Sequence, residues 1–356
     1  MPARIPAPEV PASRPVDATL MYTEAAQAAA MVDRQLTEND TTLAALAARL
    51  RAQPPRFVVT CARGSSDHAA TFAKYLIETQ LGLVTASASP SVSSLYRAPQ
   101  DLAGVLYIVI SQSGRSSDLL HCAEAAHFAG AQVVAMVNRE DSPLAAIADT
   151  VIPLMAGAER SVPATKSYLA TLAALLHLTA YWNADTALRE ALPALPEAMQ
   201  RAFEQDWTPL VEGLADSQNL FVLGRGLGLG IAQEAALKFK ETCGLHAEAL
   251  SSAEVKHGPM ALVGEDFPVL LFGQNDATLG GSLAAAREFR NRGARVWSAA
   301  PGDAHADALP LAAAPHPLCE PLLAAQSFYR AVNALALARG RDPDAPPHLH
   351  KVTKTL

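Results

Sequence analysis

Two stretches of this chain repeat each other at a fixed distance. FVVTCARG at 57–64 is matched by NLFVLGRG at 219–226, which puts Arg63 and Arg225 162 residues apart, and the same offset carries Gln112 of VISQSG onto Gln274 of LFGQND. The apolar runs are too short and too β-branched for helices and read as buried parallel strands. After each glutamine come a helical stretch and a Gly-Ala-x-Val strand start, GAQVVAM at 130–136 and GARVWSA at 293–299. Two copies of β-α-β-α-β in tandem can form only a few topologies, because crossovers between parallel strands are right-handed and place helices on both faces of a sheet. The expected fold class is therefore α/β, with two tandem domains, each a doubly wound parallel sheet flanked by helices. The 356 residues supply enough apolar material for one core per domain. The expected division is a flexible proline-rich tail over 1–18, a first domain over 19–190, a second over 191–340 and a C-terminal tail over 341–356.

Chemistry first suggests itself in the turns. YIVISQSGRSSD at 107–118 is a strand followed by a turn dense in hydroxyls, and LLHCAEAAHF after it has helical spacing. A turn between a strand's C-terminal end and a helix N-terminus favours an anion, since backbone N–H groups and the helix dipole point at it. Ser111, Gln112, Ser113 and Ser116 would add short neutral donors. RFVVTCARGSSDH at 56–68 repeats the arrangement with Gly64, Ser65 and Ser66, and SVPATKS at 161–167 adds a third hydroxyl cluster before an apolar helix. A neutral cradle of this kind suits a sugar phosphate. In the second copy Ser111 is replaced by Gly273, Ser113 by Asn275, Ser65 by Leu227 and Ser66 by Gly228, while Ser116 becomes Thr278. One phosphate site per chain, in the first copy, is the expectation.

A net charge of −7 and the lack of a basic stripe with interleaved aromatics argue against nucleic acid. The four cysteines, at 61, 122, 243 and 319, have no framework or CxxC spacing, which fits a reduced cytoplasm. MPARIPAPEVPASRP lacks an apolar signal core, and no apolar run is long enough for a membrane span. No spacing of His, Cys, Asp or Glu points to a metal; His348 and His350 lack partners.

The densest ionisable stretch is EAALKFKETCGLHAEALSSAEVKHG at 234 onward. Glu234, Lys238 and Glu241 fall on one helical face, which spacing alone reads as a solvated face with Glu–Lys pairs. The segment after Gly244 shows no clear period and reads as a long polar loop, in which His257-Gly258-Pro259 forms a rigid turn that would fix an imidazole. The closing DPDAPPHLHKVTKTL is extended by its prolines; Leu349, Val352 and Leu356 would anchor it and let Lys351 enter a site as an amine or cation.

SQSGRSSD, ARGSS, ERSVPATKS, KFKETCGLHAEALSSAEVKHGPMALV and DPDAPPHLHKVTKT together resemble the sugar isomerase (SIS) family. They resemble most closely the isomerase half of glutamine–fructose-6-phosphate amidotransferase and the free-standing type II glucosamine-6-phosphate deaminases. The resemblance runs from about Met21 to Leu356. It implies a 6-phosphosugar substrate, no cofactor or metal, and a homodimer. By motif position, Ser66, Ser111, Gln112, Ser113 and Ser116 would hold the phosphate, and Ala164 and Thr165 would line the sugar, with alanine where family members often have serine. Glu241 would move the proton between C1 and C2, His257 from the partner subunit would open the ring, and Lys351 would engage the open-chain carbonyl. Glu24 in MYTEAAQ would complete the sugar pocket. Arg115 stands where the amidotransferases carry an acid and would add a cation near the phosphate.

The implied reaction is glucosamine 6-phosphate plus water giving fructose 6-phosphate and ammonia. The alternatives are another amino-sugar phosphate, such as galactosamine 6-phosphate or a fructosamine 6-phosphate adduct, an aminotransferase-like isomerase domain, and a phosphosugar sensor without catalysis. The chain begins Met1-Pro2-Ala3 and its first cysteine is Cys61, so glutamine hydrolysis is not expected of it.

Overall fold

The computed structural model describes residues 14–351. In the first half the order is α1 (Leu20–Glu38), α2 (Asp40–Ala52), β1 (Val58–Cys61), α3 (Ser65–Leu81), β2 (Thr85–Ser87), α4 (Pro90–Ser94), β3 (Leu106–Ser111), α5 (Ser117–Phe128), β4 (Gln132–Val137), α6 (Pro143–Ile147), β5 (Thr150–Pro153) and α7 (Lys166–Trp182). The second half continues with α8 (Thr186–Ala191), α9 (Leu195–Phe203), α10 (Thr208–Leu214), β6 (Asn219–Gly224), α11 (Leu227–Cys243), β7 (His246–Ser251), β8 (Pro268–Phe272), α12 (Leu279–Asn291), β9 (Arg295–Ala299) and α13 (Glu320–Ala338). Two sheets result, ordered β2-β1-β3-β4-β5 and β7-β6-β8-β9, and every strand pairing is parallel. The α/β class and the two tandem units expected from the repeat are the ones observed.

The repeat extends to the register. Val59, Thr60 and Cys61 pair with Tyr107, Ile108 and Val109. Phe221, Val222 and Leu223, each 162 residues on, pair with Val269, Leu270 and Leu271, also 162 residues on. α3 and α11 have 17 residues each and begin and end at the same offset. Gly64 and Gly226 precede them with φ/ψ of 57/−134° and 60/−132°, a conformation that side chains with a Cβ avoid.

α3 and α11 lie directly against each other. A Cβ on Gly230 would stand 2.7 Å from the His68 carbonyl oxygen and 3.0 Å from the Phe72 nitrogen, so glycine sets the closeness of the crossing. On the other side of the same crossing His68 Nδ1 is 3.0 Å from Glu234 Oε2. His68 and Gly230 are repeat mates, as are Phe72 and Glu234. Residue 68 therefore meets the mate of 72, and 72 meets the mate of 68, the reciprocity of a two-fold axis.

The core differs from the one-per-domain expectation. Its largest apolar cluster draws on both sheets (Val58, Ile108, Val222, Leu270) and on α1, α7, α11 and α13, all buried between them. Two smaller clusters cover the outer faces, one around Val109, Cys122 and Leu144 and one around Leu223, Leu271 and Phe289. The inner helices are shared by both sheets, so the halves cannot each close a core alone.

Two local expectations change. His246–Ser251, read as loop, is the edge strand β7, whose alternation puts Ala247 inward and His246 and Glu248 outward. Residues 16–18, assigned to a flexible tail, form a short 3-10 turn, and Arg14 pairs with Asp342 and Asp344 at 3.2 and 2.6 Å. Asp344 also accepts from the Leu20 and Met21 amides at 2.9 and 2.7 Å, which ties the start of α1 to the end of the chain. Val352 and Leu356 lie outside the described residues.

Candidate active site

In the first sheet the strand order turns back between β1 and β3, and ligands bind open α/β sheets at the carboxyl ends beside such a switch. A cavity of about 360 Å³ opens there. Gly64, Ser65 and Ser66 from the turn after β1, and Ser111, Gln112, Ser113 and Ser116 from the turn after β3, line it together with Ala164, Glu241 and Lys351. Ser111 Oγ accepts from the Gly114 amide at 3.1 Å and Ser113 Oγ from the Arg115 amide at 3.3 Å, which shapes the turn around its glycine.

The second domain contributes through α11. Glu234 and Lys238, whose spacing suggested a solvated face, are fully buried, because that face packs on α3. Lys238 Nζ lies 2.8 Å from Glu241 Oε2, 3.1 Å from Glu234 Oε1 and 3.0 Å from Ser65 Oγ. Ser65 in turn donates to Glu234 Oε1 at 3.1 Å, and the Tyr329 hydroxyl donates to the same oxygen at 2.9 Å. Burial alone would lower the Lys238 ammonium, but the two carboxylates outweigh it and hold it above its ordinary range. Burial likewise opposes the Glu234 carboxylate, and Lys238 and His68 overcome it and hold it below its usual value. Ser65 thus belongs both to the cavity wall and to a chain His68–Glu234–Lys238–Glu241 that ends on the wall.

The third wall rests on Glu159, which the sequence reading missed. Its fully buried carboxylate caps α7, accepting from the Thr165 and Ser167 amides at 3.0 and 3.2 Å and from the Ser167 hydroxyl at 2.8 Å. Lys351 Nζ reaches the same group at 3.1 Å and the Ser161 carbonyl at 2.8 Å. Desolvation works against the Glu159 charge, but Lys351 and these bonds leave it below the ordinary carboxylate range.

Several candidates stand elsewhere. Glu24 lies off the cavity wall; its buried carboxylate accepts from the Arg160 amide and, at 3.2 Å, from the Ser161 amide, so it holds the loop that carries Ala164. Thr165 is fully buried and its hydroxyl has no partner among the described residues. His257 is exposed on its turn, outside the cavity of its own chain, and Arg115 is exposed off the wall. Arg63, Val162, Ser167, Tyr168 and His350 are wall residues that sequence reasoning did not single out; for Arg63 the repeated Arg-Gly was the available signal.

In the second copy the corresponding turn is filled by protein groups. Gln274 Nε2 bonds the Arg225 carbonyl at 2.8 Å, Asp276 at 2.8 Å and Thr278 at 3.0 Å. Its Oε1 lies where a Cβ on Gly228 would be 2.6 Å away, so Gln274 fills space that Ser66 borders in the first copy. Asp276 accepts from the Thr278 amide at 2.7 Å, and Glu320 accepts from the Asn275 amide. Carboxylates of the chain itself hold the amides an anion would need.

A second concavity of about 300 Å³, beside Asp40, His177, Tyr181 and Arg189, lies away from the hydroxyl turns. The Asp40 carboxylate there is already met by His177 and Tyr181. Among the described residues no three His, Cys, Asp or Glu side chains gather as a metal-ligand set, and no helix is long and apolar enough to cross a membrane.

Comparison with known proteins gives the family. The SIS domain matches residues 53–181 and 213–300, one segment for each sheet. Glutamine–fructose-6-phosphate aminotransferase (isomerizing) of Symbiobacterium thermophilum is 33% identical over 324 residues, 86% of this chain and 52% of that protein, so the chain spans about half the length of the curated relatives it matches. A structure from Silicibacter pomeroyi DSS-3, provisionally assigned as a phosphosugar isomerase, is 42% identical, covers 92% of this chain and 100% of its own, and superposes with a TM-score of 0.88. The C-terminal domain of glucosamine-fructose-6-phosphate aminotransferase from Francisella tularensis is 25% identical over 92% of this chain and 98% of its own, with a TM-score of 0.81. With two matched segments, two registered sheets and a hydroxyl-lined cavity at the switch point of the first, the chain belongs to the SIS domain family.

Proposed function

We propose that the chain is a phosphosugar isomerase acting on an amino sugar, and specifically an isomerising glucosamine-6-phosphate deaminase. The observation that carries this reading is the convergence on one cavity of three chemistries: neutral donors for a phosphate, the Glu241 carboxylate for proton transfer and the Lys351 ammonium for a carbonyl. Glu241 takes the C2 proton of the open-chain sugar and returns it at C1 through an enolamine. Water then adds at C2, ammonia leaves, and fructose 6-phosphate remains. A carboxylate aimed at the reacting carbon performs such transfers without a metal. Lys238 holds Glu241 in place, and Ser65 couples that pair to the phosphate turn.

Ring opening needs an acid–base group near O5. We assign it to His257 of a second copy of the chain, since His257 is exposed and does not line its own cavity.

The test is a panel of phosphorylated amino sugars assayed for ammonia and ketose 6-phosphate. Glucosamine 6-phosphate should give both in equal amounts. Turnover of galactosamine 6-phosphate or a fructosamine 6-phosphate adduct alone would move the assignment to that substrate, and silence on every member would overturn catalysis in favour of sensing. Mixing Glu241→Gln and His257→Ala chains should restore activity through hybrid dimers; a fully active monomer would refute the shared site.

A further inference from the structure

A phosphate monoester near neutral pH carries close to two negative charges, whereas the hydroxyls and amide turns of the cavity are neutral. We infer that Arg63 is the residue that matches this charge and so sets the preference for phosphorylated over unphosphorylated sugars. The inference rests on the phosphosugar reading of the cavity and adds to it a residue that neither motif nor spacing had assigned.

Three observations carry it. Arg63 ends the strand side of the turn just before Gly64 and lines the cavity beside Ser66 and Ser113. Its Nε donates to Asp118 Oδ2 at 2.8 Å, and Asp118 is buried in the first turn of α5, the helix that follows the phosphate turn. The Arg63 side chain keeps 52% of its surface exposed, so the pairing orients the guanidinium without burying it. A planar guanidinium fixed by one nitrogen presents a fork that matches phosphate oxygens. Lys351, the other lysine or arginine among the described wall residues, is bonded to Glu159 and the Ser161 carbonyl and is assigned above to the sugar carbonyl.

The repeat supplies an internal control. Arg225 holds the equivalent place in the second copy, but Gly280 stands where Asp118 does in the first, and the turn in front of it is filled by Gln274.

Steady-state kinetics on the full chain, across a range of salt concentrations, test the inference with three variants. Arg63→Gln should raise KM for glucosamine 6-phosphate about 10- to 100-fold, the span expected for a lost charge-assisted hydrogen bond, with kcat nearly unchanged. It should also flatten the salt dependence of kcat/KM. Arg225→Gln should leave both parameters alone. The double variant Arg63→Gln/Asp118→Asn removes the Asp118 charge together with the guanidinium that pairs with it. A KM still raised in the double variant supports direct recognition of phosphate, and a KM restored to the wild-type value would show that Arg63 serves only to neutralise Asp118. If no phosphorylated amino sugar is turned over, the deaminase reading fails, and thermal stabilisation by inorganic phosphate then decides for Arg63. Stabilisation lost in Arg63→Gln but kept in Arg225→Gln supports it, whereas equal stabilisation of Arg63→Gln and wild type overturns it.

Discussion

The turns after β3 and after β8 occupy the same place in the repeat, each following a strand in the same register and each carrying a glutamine. In the first, Gln112 faces a cavity among hydroxyls. In the second, Gln274 folds back onto its own turn, and Asp276 and Glu320 occupy the amides. The difference lies in a few side chains, not in the backbone plan. Ser66 becoming Gly228 makes room for the glutamine, and Ser113 becoming Asn275 removes a hydroxyl. The helices divide the other way. α3 carries Thr79 where α11 carries Glu241, so the proposed acid–base group comes from the copy whose turn is filled by its own side chains.

That division can be broken most sharply at the helices. Glu241→Gln should lower kcat about 100- to 10,000-fold, the usual worth of a positioned acid–base group, while Thr79→Ala changes nothing measurable. Comparable losses in both variants, or an active Glu241→Gln, would end the assignment.

Lys238→Met comes next. It leaves Glu234 buried without its ammonium, and breaking a buried ion pair costs about 3–5 kcal/mol, readable by denaturant unfolding. The equivalent of Lys238 in α3 is Leu76, an ordinary core residue.

The glycines at the two helix starts are the cleanest symmetric test. Gly64→Ala and Gly226→Ala should each cost about 1–3 kcal/mol of stability, since both positions need the same positive φ. Only Gly64→Ala should also raise KM; a raised KM in both would mean that the second turn binds substrate too.

Acid sensitivity follows from the paired carboxylates of both walls. Glu159 and Glu234 are held below their ordinary value, which is about 4.3 in the unfolded chain. Their stabilisation is complete above that pH and is lost as pH falls through the lowered folded values. Unfolding free energy should drop steeply between about pH 5 and 3, and Glu159→Gln should reduce that slope. An unchanged slope would show that Lys351 does not favour the charged form.

The smallest effect is expected at the turns. Ser113→Ala should raise KM about fivefold for one neutral hydrogen bond of about 1 kcal/mol, and Asn275→Ala should not.

Strands, helices and repeat were legible because period and offset are local properties. The hydroxyl turns were legible because strand, turn and helix follow one another in sequence. Glu234 and Lys238 were misread because a spacing of four marks a shared face without saying what faces it; only the α3–α11 crossing makes that face interior. Glu159 carries no local pattern, and the repeated Arg-Gly marks Arg63 without showing what it meets. One is defined by a lysine 192 residues away and the other by an aspartate 55 residues away. Arg115 drew attention by its neighbours in the motif, yet its side chain leaves the wall. β7 did leave a signal, the alternation of HAEALS, which the density of charges obscured.

The reciprocal contact at the α3–α11 crossing has a stoichiometric consequence. A symmetric pair would place the same chemistry at both of its equivalent contacts. Here one contact is Phe72 against Gly230 and the other is His68 against Glu234, so the polar chain exists once. Titration of the chain with a tight phosphosugar analogue should therefore saturate at one equivalent per polypeptide. One site for every two domains would then be a property of the covalent sequence, with no communication between ligands required.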